Sequence, residues 1–386
     1  MLSEETREAL AEVLVDRIEE LNAVILTEVG ESINKVGKLT PSSAYKLIQD
    51  LKYGDSYTNI VRKLKQVTNL NEKQIYEIFE ELAKQDQYFA KQFYEYRNIN
   101  FIPYAENKEL QQQVKAIAKI TADTFDNMMK TSAFMTIENG KKVFTPLSKI
   151  YQKTLDKAVL SLSQGKDTYQ TAMRKAMKEL ADSGIRTVDY ATGYSRRLDS
   201  AVRQNMLDGM RQLSNEVQRQ FGEEFDADGI EISVHDHPAP DHEDIQGHQY
   251  SIEEYEELNN SLERPISTLN CYHYTFSIVL GVSQPLYTQE QLDKINADNK
   301  AGFEFEGKHY TMYEGTQLQR QIETKIRQLK DRQIGARAME DIEEVGKYQR
   351  KITQLTQKYN DLCKISGLQP KKTRMQVSGY RRIKVA

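Results

Sequence analysis

Tryptophan is absent from this 386-residue chain, cysteine occurs twice and proline eight times. No apolar run approaches the roughly 18 residues that a bilayer span requires. Two cysteines far apart, Cys271 and Cys363, cannot build a disulfide framework and fit a reducing compartment. Scarce proline alongside 19 glycines favours long helices over many short strands. The first residues, Met1-Leu-Ser-Glu-Glu-Thr, lack the basic-then-apolar layout of a secretion signal, so the chain is expected to be made and kept in cytoplasm, or to leave it by a route other than secretion. Gly-x-Ser-x-Gly, His-Glu-x-x-His, a phosphate loop and a dinucleotide glycine pattern are all missing, which removes the commonest enzyme classes. The net charge of −4 gives no global pull towards nucleic acid or anionic membrane.

What is present is mostly helical periodicity. Leu10, Leu14, Ile18, Leu21, Ile25, Val29 and Ile33 recur at three- and four-residue steps. Thr40-Pro41 reads as a helix start, and Asn71 with Gln74 as a reciprocal cap before Ile75, Ile78, Phe79 and Leu82. Val114, Ile117, Ile120, Phe125 and Met128 continue the theme, and a long helix is expected from about 188 to 221. Asn139-Gly140 between β-prone runs predicts a hairpin over about 134–145. After Gly222 the texture changes: strands are expected at Ile230–Val234 and Tyr274–Leu280, capping boxes at Ser251/Glu254 and Thr288/Gln291, and a hairpin turning at Glu306-Gly307. Two stripes follow, Leu318, Ile322, Ile326, Leu329 and then Tyr348, Ile352, Leu355, Tyr359, Leu362, which suit a helical hairpin. The fold class expected is therefore α+β and mostly helical. Its parts would be a long N-terminal helical region (1–221), a small mixed α/β module (222–313), and a C-terminal helical hairpin (314–386). The last of these ends in a basic, solvated tail carrying Lys371, Lys372, Arg374, Arg381, Arg382 and Lys384.

Five of the six histidines and one cysteine fall between His235 and His273. His235 and His237 stand two apart, as do Cys271 and His273, and residues i and i+2 of a strand share a face. A tetrahedral zinc site needs four nitrogen or sulfur donors, and the best set is His235, His242, Cys271 and His273, with His237 as the alternative. Asp236, Asp241 and Asp244 are candidates to fix ring tautomers. A polar, hydrogen-bonded loop cluster without metal fits the same residues. The spacing is not that of the common zinc knuckles. Histidine, carboxylate and metal together are also the kit for hydrolysis, so a metal-dependent hydrolase acting on nucleic acid or peptidoglycan is the alternative function. His248, His309 and Cys363 read as ordinary surface or packing residues, and Gln246-Gly247 as a turn.

At Ser233, His235, Pro240, His242, Gln246, Gly247, Asn270, Cys271 and His273 the chain resembles the phage minor capsid protein 2 family, relatives of the Mu-type head morphogenesis proteins. Tyr190-Ala-Thr-Gly-Tyr-Ser-Arg-Arg197 and Tyr310-Thr-Met-Tyr-Glu314 are similar to it as well. The pattern departs at Ala239 and Tyr272, where that family often has arginine, and at Ile245, where it has an aromatic. What the resemblance implies is a non-enzymatic, low-copy virion component, associated with the portal protein and other capsid components during head assembly. It would work in host cytoplasm during assembly and in the capsid interior or portal region afterwards. It would make no membrane contact and would travel with the DNA; the basic C-terminal tail, read from its charge, offers a surface for DNA, RNA or an acidic protein patch.

Overall fold

The computed structural model describes residues 4–37, 58–60, 62, 63, 66, 72–97, 100–138, 141–147, 149–154, 156, 169–189, 191–269 and 271–383. It is an α+β fold, mostly helical, with small antiparallel sheets. In chain order the elements are α1 (Glu4–Gly37), α2 (Glu72–Arg97), α3 (Lys108–Lys130), β1 (Ser132–Glu138), β2 (Lys141–Pro146), α4 (Tyr169–Ser183), β3 (Arg186–Val188), β4 (Ser195–Arg197) and α5 (Leu198–Glu224). There follow β5 (Gly229–Ile232), β6 (Gln249–Ser251), α6 (Ile252–Ser261), β7 (Thr275–Ile278), α7 (Gln289–Ala301), β8 (Phe303–Phe305), β9 (Lys308–Tyr310), α8 (Met312–Ala338) and α9 (Ile342–Ser366). Among the described residues no helix is long and apolar enough to cross a membrane. The expected start at Thr40-Pro41, the cap residue Asn71, the turn Asn139-Gly140, Tyr190, Asn270 and Lys384 lie outside the described residues.

The chain forms two compact units, each assembled from three separated stretches. The first comprises Met1–Glu12, Asn71–Phe125 and Arg203–Gln317. Its helical part buries Phe79 and Leu82 of α2, Val114 and Phe125 of α3, and Leu207, Met210 and Leu213 of α5. Ile120, assigned to that stripe by periodicity, is 62 % exposed. Six residues on from Val114 it has turned off the face that Ala118 and Phe125 share. Gly209 lets α5 approach closely, since a Cβ there would stand 2.5 Å from Thr121 Oγ1 and 2.8 Å from Phe79. Arg7 is wholly buried, donating to the Met210 carbonyl at 3.2 Å and pairing with Asp86 at 3.7 Å. The mixed part is a three-stranded sheet, ordered β6-β5-β7, with α6 and α7 following its strands. Both expected capping boxes form, Ser251 with Glu254 and Thr288 with Gln291, and so does the hairpin β8–β9.

The second unit comprises Val13–Leu70, Asp126–Val202 and Leu318–Ala386. Here the α1 stripe from Leu14 to Ile33 is buried, with every member at most 2 % exposed. Gly30 sits in mid-helix because a Cβ would fall 2.6 Å from that of Ala338. Strands order as β2-β1-β3-β4, and the predicted hairpin pairs Phe134 with Thr145. The helix expected from residue 188 begins at Leu198 instead. Strands β3 and β4 pair as a hairpin, whose turn is held by the Asp189 carboxylate accepting from the N–H groups of Ala191 and Thr192, with Gly193 at φ 71°. Under it lies a buried ionic cluster: Arg197 on Asp331 at 3.1 Å, Arg327 on Asp199 at 3.2 Å, and the Asn22 amide donating to Asp331 at 3.1 Å.

Helices α8 and α9 make the expected hairpin. Tyr359 hydroxyl donates to Glu323 at 2.9 Å and accepts from Gln319 at 3.1 Å. The tail is not a frayed end. The Lys371 N–H donates to Tyr359 hydroxyl at 2.7 Å, Lys330 to the Met375 carbonyl at 2.6 Å, and the Ile383 N–H to Gln349 at 3.2 Å. One of its apolar residues, Met375, is buried, which is why a segment with no acidic residue still docks.

Candidate metal centre

Pairing of β5 with β7 sets the site. The register Ile232↔Thr275 places Ser233 opposite Tyr274, and two hydrogen bonds lock them: Ser233 N–H to Tyr274 carbonyl at 2.8 Å and Tyr274 N–H to Ser233 Oγ at 2.7 Å. The chain leaving β5 and the chain arriving at β7 therefore run side by side for a few residues beyond the sheet. His235 lies on one and Cys271 and His273 on the other. All three sit outside the strands, so the same-face argument from strand geometry does not apply; adjacency comes from the register instead. His242 is returned to the site by a turn, its N–H donating to the Ala239 carbonyl at 2.8 Å, and the loop closes when the Gly247 N–H donates to the Ile232 carbonyl at 2.8 Å. Gly247 is obligatory there: φ is 72°, and a Cβ would meet Leu292 at 2.5 Å.

Helix α5 braces the other wall. Asn215 donates to Ser267 Oγ at 2.9 Å, and the Asp208 carboxylate accepts from the Leu269 N–H at 3.1 Å. Ser267 and Leu269 hold positive φ of 65° and 50°, a backbone strain concentrated beside Cys271. The Ser267 hydroxyl in turn donates to the His273 carbonyl at 2.9 Å.

Three side chains converge. The ligand atoms of His242, Cys271 and His273 lie within 4.8 Å of one another, and all three residues are buried. Cys271 Sγ is 3.3 Å from His273 Nδ1 and 3.7 Å from His242 Nδ1. Zinc bonds of about 2.3 Å to sulfur and 2.0–2.1 Å to nitrogen, at a tetrahedral angle, put S and N about 3.5 Å apart. The observed pair brackets that value.

Proton accounting points the same way. His242 Nε2 lies 2.8 Å from the Arg264 carbonyl, which can only accept, so that nitrogen carries hydrogen. His273 Nε2 lies 3.1 Å from Gln246 Oε1, whose orientation is fixed by the His235 backbone N–H donating to the same oxygen at 3.1 Å. Both imidazoles thus turn a bare Nδ1 lone pair towards one sulfur. A thiol has one hydrogen for two lone pairs, and a cation would satisfy both and the thiolate. Burial pushes His273 well below the ordinary histidine range, reinforced by His235 and His242, and pushes the Cys271 thiol up against opposing N–H groups of His273 and Ser267. Neutral imidazoles are ligand-competent; the thiol would surrender its proton on binding.

His235 is not in this triad. Its ring stands 4.3 Å from that of His273, centroid to centroid, and its Nδ1 accepts from the His237 N–H at 3.3 Å. Burial, then His237 and His242, bring it down to about 4. His237 has a buried Nδ1 without a hydrogen-bond partner among the described residues. Asp241, 3.8 Å from His242 Nε2, is held mainly by Arg264, whose guanidinium also donates to Tyr313 hydroxyl at 3.0 Å. Asp236 is exposed, and His309 pairs with Glu304 at 3.3 Å on the surface. Cys363 is buried, accepting from Gln319 at 3.5 Å.

Sequence reasoning takes Gln246 as a turn residue and a member of the family pattern without a role at the site, and misses Arg264, Asp208, Asn215 and Arg211 there altogether. Arg211 of α5 lies over the Tyr272 ring at 5.4 Å, so a guanidinium reaches Tyr272 from another element. Only Gln246, adjacent to Gly247, carried a local signal; the others lie at least 50 residues from one of their partners, apart from Arg264.

A family model described as phage minor capsid protein 2 matches residues 2–364. No curated protein and no solved structure matches the chain.

Proposed function

The chain belongs to the phage minor capsid protein 2 family, and from that premise we propose a non-enzymatic, low-copy component of the phage head that associates with the portal or inner capsid during assembly. The observation that carries a structural rather than catalytic role is the closure of the His/Cys site. His242, Cys271 and His273 are 3 %, 9 % and 0 % exposed, and each imidazole has its second nitrogen tied to a fixed acceptor. Structural metal sites are closed in this way, whereas a catalytic metal keeps an open position for substrate. We assign zinc as the ion, with His235, whose ring lies beside that of His273, as the fourth ligand; the metal staples the mixed module so that it docks as a rigid body.

The test is twofold. Quantifying the protein in purified particles and precursor heads should find a few copies in each, captured with portal; absence from both overturns the assignment. His242→Ala should lower stability and incorporation together. Loss of a nuclease or peptidoglycan-hydrolase activity, with folding and incorporation intact, would establish the hydrolase reading instead. Travel with the DNA is the further expectation attached to the resemblance, and exposed Lys372, Arg381 and Arg382 would be its contacts. Those residues have a competing partner, argued next.

A further inference from the structure

Charge is divided sharply between the two compact units. With histidine neutral, the unit holding the His/Cys site carries 35 acidic and 15 basic side chains, net −20, and the other carries 22 and 38, net +16. Residues 222–313 alone hold 19 acids against four bases, and residues 318–386 hold 17 bases against seven acids. The modest −4 of the whole chain is thus the near-cancellation of two strong opposite fields.

On the acidic unit, large apolar side chains stand in the open: Val282 is 73 % exposed, Leu286 62 % and Ile252 45 %. Their backbone is fixed. Asp228 accepts from the Leu280 N–H at 2.7 Å through its carboxylate and from the Ile252 N–H at 3.4 Å through its carbonyl, which brings the two segments together. Buried Glu231 accepts from the Leu286 N–H at 3.0 Å, and Ser283 closes the turn on Val279. Exposed Glu253 and Glu256 continue from Ile252 on α6, and exposed Glu290 follows Leu286 on α7. An ordered apolar tip costs little entropy to bury, and its acidic rim selects a basic partner.

A surface of the required sign is carried by the same chain. Lys372, Arg381 and Arg382 are exposed on a tail whose backbone is anchored, the Arg381 carbonyl accepting from Arg337 at 2.8 Å. We propose that the acidic, apolar-tipped surface at Ile252, Val282 and Leu286 docks on the basic C-terminal surface at Lys372, Arg381 and Arg382 of a second copy. Such a contact is heterologous, joining different patches head to tail, and repeats around a ring or along a filament. Protein is favoured over DNA as the occupant because apolar side chains gain by burial against protein, and the −20 unit repels a polyanion.

Sedimentation velocity of the purified full chain tests this without any other phage protein, so its failure is separate from failure of the head-assembly assignment. Association should grow with concentration at about 50 mM salt and weaken at least about tenfold at about 500 mM. Glu253→Lys with Glu256→Lys should leave monomer, as should Arg381→Glu with Arg382→Glu, both with unchanged circular dichroism. Mixing the two reversed variants should restore association, because each then complements the other. Val282→Ser with Leu286→Ser should weaken it at either salt. A monomer at every concentration in low salt overturns the proposal. So does association indifferent to both reversals, or a monomer that shifts duplex DNA through Arg381 and Arg382.

Discussion

Replacing Gln246 by leucine removes a side chain that fixes two elements of the His/Cys site at once. Gln246 is 1 % exposed, and its Oε1 accepts from His273 Nε2 at 3.1 Å and from the His235 backbone N–H at 3.1 Å. Leucine fills similar space and accepts nothing, so both donors lose their partner. A buried donor left unsatisfied costs about 1–3 kcal/mol. His273 is fully buried and takes the larger share, while half-buried His235 recovers part from water, giving about 2–4 kcal/mol in total. The His273 ring also loses the contact that directs its Nδ1 at Cys271 Sγ, and loss of such an outer partner weakens metal about 10–100-fold. Gln246→Glu is the control for metal: it keeps the acceptor and makes the imidazole a better ligand, but it replaces the long 3.5 Å bond to Asn296 with a buried carboxylate, which costs stability of its own. Urea unfolding with chelator gives the first number, and competition against a chromophoric zinc chelator gives the second. Leucine should lose on both counts, and glutamate on stability alone. A leucine variant as stable and as metal-avid as the parent would refute the reading of Gln246 as the hub of the site.

Cys271→Ser should abolish stoichiometric metal binding while costing metal-free protein little, since serine still donates to one Nδ1; equal metal content in both proteins would contradict it. Asp331, pushed up to about 6 by burial against the pull of Arg197, binds a proton in the folded state that it lacks when unfolded between roughly pH 4 and 6. Its contribution to stability is therefore present at low pH and lost as pH rises through about 6, worth on the order of 1–3 kcal/mol; Asp331→Asn should erase that slope in calorimetry at pH 5 and 7. Gly30→Ala should destabilise by about 1–2 kcal/mol, because the 2.6 Å approach to Ala338 outweighs the roughly 1 kcal/mol gain in helix propensity; a higher melting temperature would overturn that ranking. Tyr359→Phe should release the tail, read as faster amide exchange at Lys371, since the hydroxyl that accepts its N–H is gone.

Local signals carried well from sequence to structure. The capping boxes at Ser251 and Thr288, the turn at Gly307 and the stripe of α1 each depend on residues within a turn or two of one another, and each formed. The site was half legible. His242, Cys271 and His273 were named from their chemistry, but the reason offered, strand alternation, was not the reason they meet. Their meeting depends on a register, Ile232↔Thr275, that no short window reveals. The braces Asp208, Asn215 and Arg211 were invisible for the same cause: on α5 they read as ordinary polar faces of an amphipathic helix. The β3–β4 hairpin was lost because helix-forming residues on both sides outvoted Asp189 and Gly193, the two that turn it. The basic tail was read from charge alone, and the buried Met375 that anchors it was overlooked.

Cobalt substitution of the full chain addresses the clamp most directly, because a thiolate bound to Co²⁺ absorbs in the near ultraviolet and tetrahedral Co²⁺ absorbs strongly in the visible. One equivalent of cobalt should produce both signatures, raise the unfolding midpoint, and lose the thiolate band in Cys271→Ser. A spectrum without a thiolate band, together with an unfolding midpoint indifferent to metal, would reduce His242, Cys271 and His273 to a hydrogen-bonded cluster.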